Sequence, residues 1–577
     1  MRPRLKRRLS VGITVLSLAA SGVVAGLLTS PSASASDNGL SIRPAMGWSS
    51  WSFVRRTPTA AKIKAQADAL KNSGLAAHGF VYVNLDDFYQ KCDANGFVVD
   101  SFGRWAVDET KFPGGIKPVA DYVHSLGLKF GFYVTPGIAQ NAVMQNTPIE
   151  GTSYHARDIA DTSKLEKNYN CRHMYYIDYS KPGAQAFINS WARQFASWGV
   201  DYLKIDGVGA ADIPDVQAWA SALRNTGRPI NYALSNNLPI ANATTWKQLA
   251  NSWRTQGDVE CYCGPGPNGS GYPLTDWNHV VTRFNSAAAW QPYAGPGGWN
   301  DLDSLEIGNG DQVGLTADQR RSHFTLWAMA ASPLLLGTDL TNLNTTDMAM
   351  LTNDRLIAVN QDGVAAKRTV NNGSQQVFSK RESNGSYVVA LFNTATTGST
   401  TVSVNWSQVG FSGSAAVTNL WSGASQGTIA NSYSATLRPG ETRLIRAVPT
   451  TASTTIEAEA SGNTIAGAAR IASCTACSGG QKVGYIGNGA ANYVTINNVS
   501  VATAGTRQLT ITYLLSGSRS FFVSVNGGAG QQVALTGTSF STPANTTISV
   551  SLNAGANTIR FYNDTAYAPD LDKISVS

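Results

Sequence analysis

Apolar and polar positions alternate in blocks along residues 38–360. Short apolar runs recur, and stretches of helical period separate most of them. The runs 44–51, 80–86, 129–135, 201–206, 229–235, 251–258, 298–303 and 332–337 have the length of buried strands. The stretches 59–72, 181–198 and 318–331 space their apolar residues three and four apart and predict amphipathic helices. Thr59 suits an N-cap, and Gly74 and Gly199 suit helix C-termini, where left-handed backbone favours glycine. Eight strands interleaved with helices predict an α/β fold, the (β/α)8 TIM barrel. An open doubly wound sheet is the alternative, but no GxGxxG follows the first strand.

The pattern changes at 364–448. Period-two stretches such as 387–392 and 400–405 alternate with Asn/Gly/Ser turns, and no helical period remains. This block predicts a small antiparallel β-sandwich. Residues 449–455 (PTTASTT) read as a linker. Residues 456–577 form a third block, again all-β and rich in Gly, Asn, Ser and Thr.

The first 35 residues follow another pattern. Arg2, Arg4, Lys6, Arg7 and Arg8 precede the apolar run 11–28, and Ala33-Ser34-Ala35 follows it. This predicts a secretory signal peptide over 1–35, a mature start near Ser36 and an extracellular protein. A retained anchor is the alternative, because the run approaches the roughly 18 residues a span needs. The small-residue exit favours cleavage, so no membrane partner is expected afterwards. The same basic head supplies most of the formal charge of +7. Without it 39 basic residues face 37 acidic ones, which gives no basis for a nucleic-acid partner. Charged residues make up 14%, and 55 Gly with 14 Trp exclude a disordered chain or a coiled coil.

Six cysteines suit an exported, disulfide-forming chain. Cys261 and Cys263 lie close in sequence, and Cys474 and Cys477 predict a local disulfide. No second CxxC or His pair completes a zinc site with them. The partners of Cys92 and Cys171 stay open.

In a barrel of this kind chemistry sits at the C-terminal strand ends. Those ends read Trp51, Asp86-Asp87, Thr135, Asp206, Ser235, Asp258 and Asp301/Asp303. Unpaired carboxylates are costly to bury, so a ring of them predicts a water-lined polar site. The plainer reading of any one is a helix N-cap. Paired carboxylates beside aromatic faces are what glycoside hydrolysis needs. One attacks or steadies the anomeric carbon and the other protonates the leaving oxygen. Trp48, Trp51, Trp105, Tyr133 and Trp299 fall near the predicted rim. Lys204 lies two before Asp206, on the same side of its strand, where its charge would keep Asp206 anionic. A two-metal reading lacks histidines at the strand ends.

At these residues the chain resembles glycoside hydrolase family twenty-seven, the melibiase-type α-galactosidases. PAMGWSSWSF (44–53), YVNLDDFY (82–89), VDYLKIDG (200–207), WRTQGD (253–258), GGWNDLDSLEIGN (297–309) and RSHFTLWAMAASPLLLGTDL (321–340) carry the likeness. It spans roughly residues 40–360 and the following sandwich. The resemblance implies removal of terminal α-D-galactosyl residues from oligo- or polysaccharides by a retaining mechanism. Asp206 would be the nucleophile and Asp258 the acid/base. Retention would require carboxyls about 5–5.5 Å apart. Trp51, Asp86, Asp87, Lys204 and Arg254 would hold the terminal sugar, and Asp301 would support the rim. No cofactor or catalytic metal is implied.

Three departures bear on the sugar. The third-strand region 129–155 lacks the family's usual disulfide cysteine and carries a different loop. Phe88 stands where Cys is usual. Ser235 stands where α-galactosidases place the Glu that reads the 2-hydroxyl. Other members of the family cleave β-L-arabinopyranosides, α-N-acetylgalactosaminides and the isomaltose units of dextran. An isomalto-dextranase or β-L-arabinopyranosidase on the same scaffold is therefore the alternative. An alternative of another class is a decayed barrel that binds glycans without turnover.

The C-terminal block resembles carbohydrate-binding modules of families six and thirty-five. IEAEAS (456–461), GGQKVGYIGNGAANYVTI (479–496) and APDLDKISV (568–576) carry that likeness. It implies a structural Ca2+ held by Glu457, Glu459 and Asp572, whose hard oxygen ligands suit that ion. Tyr485, Asn563 and Tyr567 are candidate sugar contacts. Such a module would tether the enzyme to a polysaccharide.

Overall fold

The computed structural model describes residues 38–172, 174–450, 454–501 and 504–577. The predicted leader, 1–35, lies outside them. Among the described residues no helix is long and apolar enough to cross a membrane.

Eight short parallel strands form one curled sheet. They are β1 (Met46–Ser49), β2 (Tyr82–Asn84), β3 (Lys129–Val134), β4 (Tyr202–Ile205), β5 (Asn231–Leu234), β6 (Ser252–Arg254), β7 (Trp299–Asp301) and β8 (Leu334–Leu336). Their order is β7-β6-β5-β4-β3-β2-β1-β8. The two edges meet where Leu305, just past β7, bridges Leu336 of β8 in parallel. The closed barrel replaces the doubly wound alternative. Each predicted run contains one strand, trimmed because residues such as Asp86, Asp206 and Asp258 leave the ladder for the loops.

The helices between them are α1 (Ala60–Asn72), α2 (Lys117–Ser125), α3 (Ala184–Trp198), α4 (Ile213–Asn225), α5 (Ala243–Leu249), α6 (Trp277–Trp290) and α7 (Ala317–Ala330). Thr59 caps α1 by accepting from the Lys62 amide at 3.2 Å. Gly199 ends α3 at φ +86°. That helix starts three residues later than the periodicity predicts, because Pro182 and the left-handed Gly183 precede it. Two further helices, α8 (Thr345–Leu351) and α9 (Asp354–Asn360), close the barrel block.

The second block holds β9 (Lys367–Asn372), β10 (Gln375–Arg381), β11 (Tyr387–Asn393), β12 (Thr400–Asn405), β13 (Ser414–Asn419), β14 (Ser425–Ala430), β15 (Ser432–Leu437) and β16 (Thr442–Pro449). Six of them form one sheet, β9-β10-β11-β16-β13-β14, and β12 pairs β15. Val377, Val389 and Leu391 point into the sandwich core. Phe378, Val388, Ala390 and Phe392 point the other way, into the barrel's core. Both faces of β11 are therefore buried, which explains why it reads as a continuous apolar run. One helical turn, Trp406–Val409, interrupts the block expected to be all-β. It lets Trp406 sink fully into the sandwich.

β16 runs through Pro449 and the next strand begins at Thr454, so both ends of the predicted linker are strand. The C-terminal block is antiparallel β-structure around its own core. Its longest strands, Gly505–Val525 and Gln531–Leu552, pair along most of their length. The cysteines form three disulfides: Cys92–Cys171, Cys261–Cys263 and Cys474–Cys477.

One buried ion pair ties the loops around β7 and β8. Asp347 on α8 accepts from Arg320 Nε on α7 at 2.8 Å, from the Gly310 amide at 2.7 Å and from Asn344 Nδ2 at 2.8 Å. Removing the carboxylate strands a buried guanidinium that keeps only the exposed Asp311 and the Leu315 carbonyl as partners. Asp347→Ala will lower stability by about 3 kcal/mol, measured by denaturant unfolding.

Candidate active site

A pocket of about 310 Å3 opens at the C-terminal end of the barrel. It brings together Trp51, Asp86, Asp87, Lys204, Asp206 and Asp258, all singled out from the sequence. Tyr133, from β3, also lines it. Arg56, Tyr169, Asn236 and Tyr262 complete the wall. These four sit on loops past the strands, where apolar periodicity carries no signal.

A smaller void lies beneath and shares Trp51, Asp86 and Lys204 with the pocket. Ser235, Arg254 and Asp301 line this void rather than the upper pocket. Ser235 and Asp301 are buried, and the β5-end residue lining the upper pocket is Asn236, at φ +120°. Three expected rim aromatics are core. Trp48 donates to the Thr338 carbonyl at 2.8 Å, and Trp299 to the Ser41 carbonyl at 2.8 Å. Trp105 stacks on Phe97 with centroids 4.1 Å apart. All three rings are buried, so a ring near a strand end is no guide to the side it faces.

Lys204 organises the floor. Its Nζ lies 2.9 Å from Asp86 Oδ2 and 4.0 Å from Asp206 Oδ2. Its first partner is therefore Asp86, not the Asp206 that sequence spacing suggests. Burial works against the lysine's charge, but Asp86 and then Asp206 outweigh it and raise its pKa. Burial raises the Asp86 pKa, with Lys204 opposing, and pushes Asp87 up to about 7. Asp87 Oδ1 accepts from the Phe88 amide at 2.7 Å, which holds Phe88 at φ +72°. The Phe88 ring, in place of a cysteine, stacks on Trp51. Asp206 accepts from the Gly207 amide at 2.9 Å, and the Tyr133 hydroxyl lies 3.4 Å away.

Asp258 stands on the loop four residues past β6. Arg254 donates to its Oδ1 at 3.0 Å, and the Tyr262 hydroxyl donates to its Oδ2. Burial acts to raise its pKa, but Arg254, Tyr262 and Lys204 hold it below the usual carboxylate range. The other arm of Arg254 pairs with Asp303 at 2.7 Å. Behind them Glu260, buried and receiving a hydrogen bond from Ser52, is pushed well up by burial and by Asp303 and Asp258.

Among the described residues two sets of three groups come close enough to hold an ion. In one, Asp258, Glu260 and Asp303, Arg254 already supplies the positive charge. In the other, Cys261 and Cys263 are spent in their disulfide.

The profile of the family described as "Alpha galactosidase A" matches residues 44–164 and 175–362. That of the "Alpha galactosidase C-terminal beta sandwich domain" matches 372–447. The chain belongs to the melibiase-type α-galactosidase family, glycoside hydrolase family twenty-seven. It is a glycoside hydrolase by that membership. An α-galactosidase of Oryza sativa is 34% identical over 407 residues, 69% of this chain and 83% of the relative. Alpha-galactosidase A of Cellvibrio japonicus is 34% identical over 388 residues, 65% of this chain and 82% of the relative. Among solved structures, a family twenty-seven β-L-arabinopyranosidase from Geobacillus stearothermophilus superposes with a TM-score of 0.64 at 30% identity, covering 71% of this chain and 97% of that one. α-Galactosidase I from Mortierella vinacea gives 0.57 at 30% identity, covering 71% and 98%. Both family profiles end before the C-terminal block.

In that block Glu457, Glu459 and Asp572 converge. Ser478 Oγ donates to Glu457 at 2.7 Å, and the Ser478 amide donates to Asp572 at 3.4 Å. One oxygen of each carboxylate is buried without a partner. Tyr485 and Tyr567 are half-exposed, and Tyr567 bridges Gly487, two residues from Tyr485. Asn563 is not placed to touch sugar. It is buried, donates to the Ser520 carbonyl at 3.1 Å and accepts from the Ala566 amide at 3.0 Å, serving as a turn bracket.

The raised carboxyls set the pH response of the fold. Burial lifts Asp87 and Asp215 to about 7 and Asp301 to about 6. Unfolded, such groups titrate near about 4, so between about pH 4 and 7 the folded chain binds more protons than the unfolded one. Stability therefore falls as pH rises through this window. Melting temperature measured from pH 4 to 7.5 will decline, and the Asp87→Asn variant will show a shallower decline.

Proposed function

We propose that this is an exported retaining exo-glycosidase that releases terminal α-D-galactosyl residues from oligo- or polysaccharides. The observation that carries the reading is that Asp206 and Asp258 line one pocket whose floor is the Lys204-bound Asp86 and its neighbour Asp87. Asp86, Asp87 and Lys204 offer acceptors and a donor to the hydroxyls of a terminal sugar. Asp206 attacks the anomeric carbon while Asp258 passes a proton to the glycosidic oxygen, which leaves with the bond's electron pair. Asp258, now a base, takes a proton from water, whose oxygen attacks the anomeric carbon, displaces the Asp206 carboxylate with its electron pair and restores the original anomeric configuration. No cofactor enters these steps. In the free site Arg254 and Tyr262 hold Asp258 ionised, so binding of the neutral sugar must loosen that hold before the proton transfer. Three disulfides and the basic, apolar leader support export.

The second reading, β-L-arabinopyranoside cleavage, draws on the Geobacillus stearothermophilus structure and on Asn236 at the end of β5. Hydrolysis of p-nitrophenyl α-D-galactoside, β-L-arabinopyranoside and α-D-glucoside, beside dextran digestion, separates the readings. The α-galactoside is the expected substrate, and isomaltose appearing from dextran alone would indicate isomalto-dextranase. Asp206→Ala will lower turnover by at least about 10⁴-fold. Turnover at the wild-type rate would mean the nucleophile is another residue, and no turnover by wild type on any of these would favour a glycan-binding protein.

The C-terminal block reads as a carbohydrate-binding module of the family six and thirty-five type, with Tyr485 and Tyr567 as sugar contacts. The unpaired, convergent oxygens of Glu457, Glu459 and Asp572 fit a Ca2+ ion, which would pin the first and last strands together. Added Ca2+ will raise the melting temperature and chelation will lower it, while Glu459→Gln will abolish the difference.

A further inference from the structure

Two tyrosines at the pocket mouth take no part in the donor-sugar contacts. Tyr169 and Tyr262 line the pocket with Asp206 and Asp258, yet they are 44% and 38% exposed. Five large aromatic side chains are this exposed among the described residues, and two of them stand here. Covering an aromatic face removes apolar surface from water, so a bare pair beside a site points to a ligand that covers it.

Each tyrosine rides on a loop closed by a disulfide. Tyr169 lies between the paired strands Ala160–Glu166 and Met174–Ile177, on a loop where Cys171 is bonded to Cys92. Its hydroxyl overhangs Gly207, the residue after Asp206, 3.6 Å from where a Cβ there would stand. Tyr262 lies between Cys261 and Cys263, at φ +50°. Its hydroxyl accepts from Trp51 Nε1 at 2.8 Å and donates to Asp258, and the Arg55 guanidinium sits 4.4 Å from its ring centre. The Tyr262 ring is thereby fixed before any ligand arrives and the Tyr169 loop is anchored at Cys171, which lowers the ordering cost of binding.

The proton of the acid step travels from Asp258 to the glycosidic oxygen. Everything beyond that oxygen must project outward past Asp258, the direction in which Tyr262 and Tyr169 stand. We propose that Tyr169 and Tyr262 form the leaving-group subsite, and that the group they receive is a second sugar ring, whose C–H face stacks on the phenols. The preferred substrate is then an oligosaccharide rather than a galactoside of a small alcohol. Tyr262 has a second duty as a positioning residue. Arg254 fixes the inner oxygen of Asp258, and Tyr262 orients the outer one, Oδ2, toward the leaving group. The inference rests on the Asp206 and Asp258 roles given above.

The test compares melibiose, whose leaving group is a sugar, with α-D-galactosyl fluoride, whose leaving group needs neither a ring subsite nor a proton. Tyr169→Ala and Tyr262→Ala will each lower kcat/KM on melibiose by about tenfold or more. Tyr169→Ala will hydrolyse the fluoride within about twofold of wild type, which also shows that it folds. Tyr262→Phe keeps the stacking face and removes the donor to the Asp258 anion. It will leave KM for melibiose nearly unchanged and move the alkaline limb of kcat, which reports the acid in the complex, to higher pH, the direction in which an acid's pKa rises. The other groups facing Asp258, namely Arg254, Lys204, Glu260, Asp303 and Tyr169, are unaltered in that variant. Equal losses on melibiose and fluoride would overturn the subsite, as would no loss on either. Wild-type inactivity on both would instead overturn the galactose reading. The same comparison with β-L-arabinopyranosyl donors would then decide the tyrosines' role.

Discussion

The pocket depends on one lysine placed among buried carboxylates. Lys204 sits on β4 with Asp86 at 2.9 Å and Asp206 at 4.0 Å. Without a cation there, Asp86 would be an anion stranded against apolar strands, and the chain would neutralise it by protonation. The lysine keeps an acceptor available on the floor while leaving Asp206 far enough away to react. Arg254 plays the matching part across the pocket, one guanidinium spanning Asp258 and Asp303. Two cations thus divide a crowded acidic region, Lys204 between Asp86 and Asp206 and Arg254 between Asp258 and Asp303. Burial still raises Asp87, Asp301 and Glu260 beside these cations.

The barrel was legible because its strands are buried on both faces and so read as short apolar runs, each ending in a polar residue. The residues that leave the ladder at those ends, Asp86, Asp87 and Asp206, were found for that reason, and Lys204 on β4 through its spacing to Asp206. Asp258 was read as the end of the sixth apolar run and again in its motif, although it lies four residues beyond the strand. Residue spacing misassigned the lysine's partner, because strand parity says which side a chain points to and nothing about the neighbour across the barrel. Trp48, Trp105 and Trp299 were misplaced for a related reason: a large ring near a strand end is equally at home in the core. Tyr169, Tyr262 and Asn236 were invisible, since loop conformation at the pocket mouth is set by disulfides and positive φ angles rather than by period. In the C-terminal block the three carboxylates were readable, whereas Asn563 was not, because an amide that braces a turn and one that greets a sugar look alike in a sequence.

The sandwich shows how a second block becomes part of the first. Strand β11 sends Val389 and Leu391 inward and Phe392 outward, where it meets Phe284 of α6 with centroids 4.9 Å apart. The sheet is a shared wall between two cores. The C-terminal block, in contrast, encloses its apolar residues in a core of its own.

This difference marks where recombination between genes would be tolerated. A cut between α9 and β9 exposes a phenylalanine-lined face of the barrel to water, so barrel and sandwich are inherited as one unit. A cut between Pro449 and Thr454 opens no core on either side. The C-terminal block is the portable part, free to be exchanged for another domain while the barrel and sandwich stay as they are.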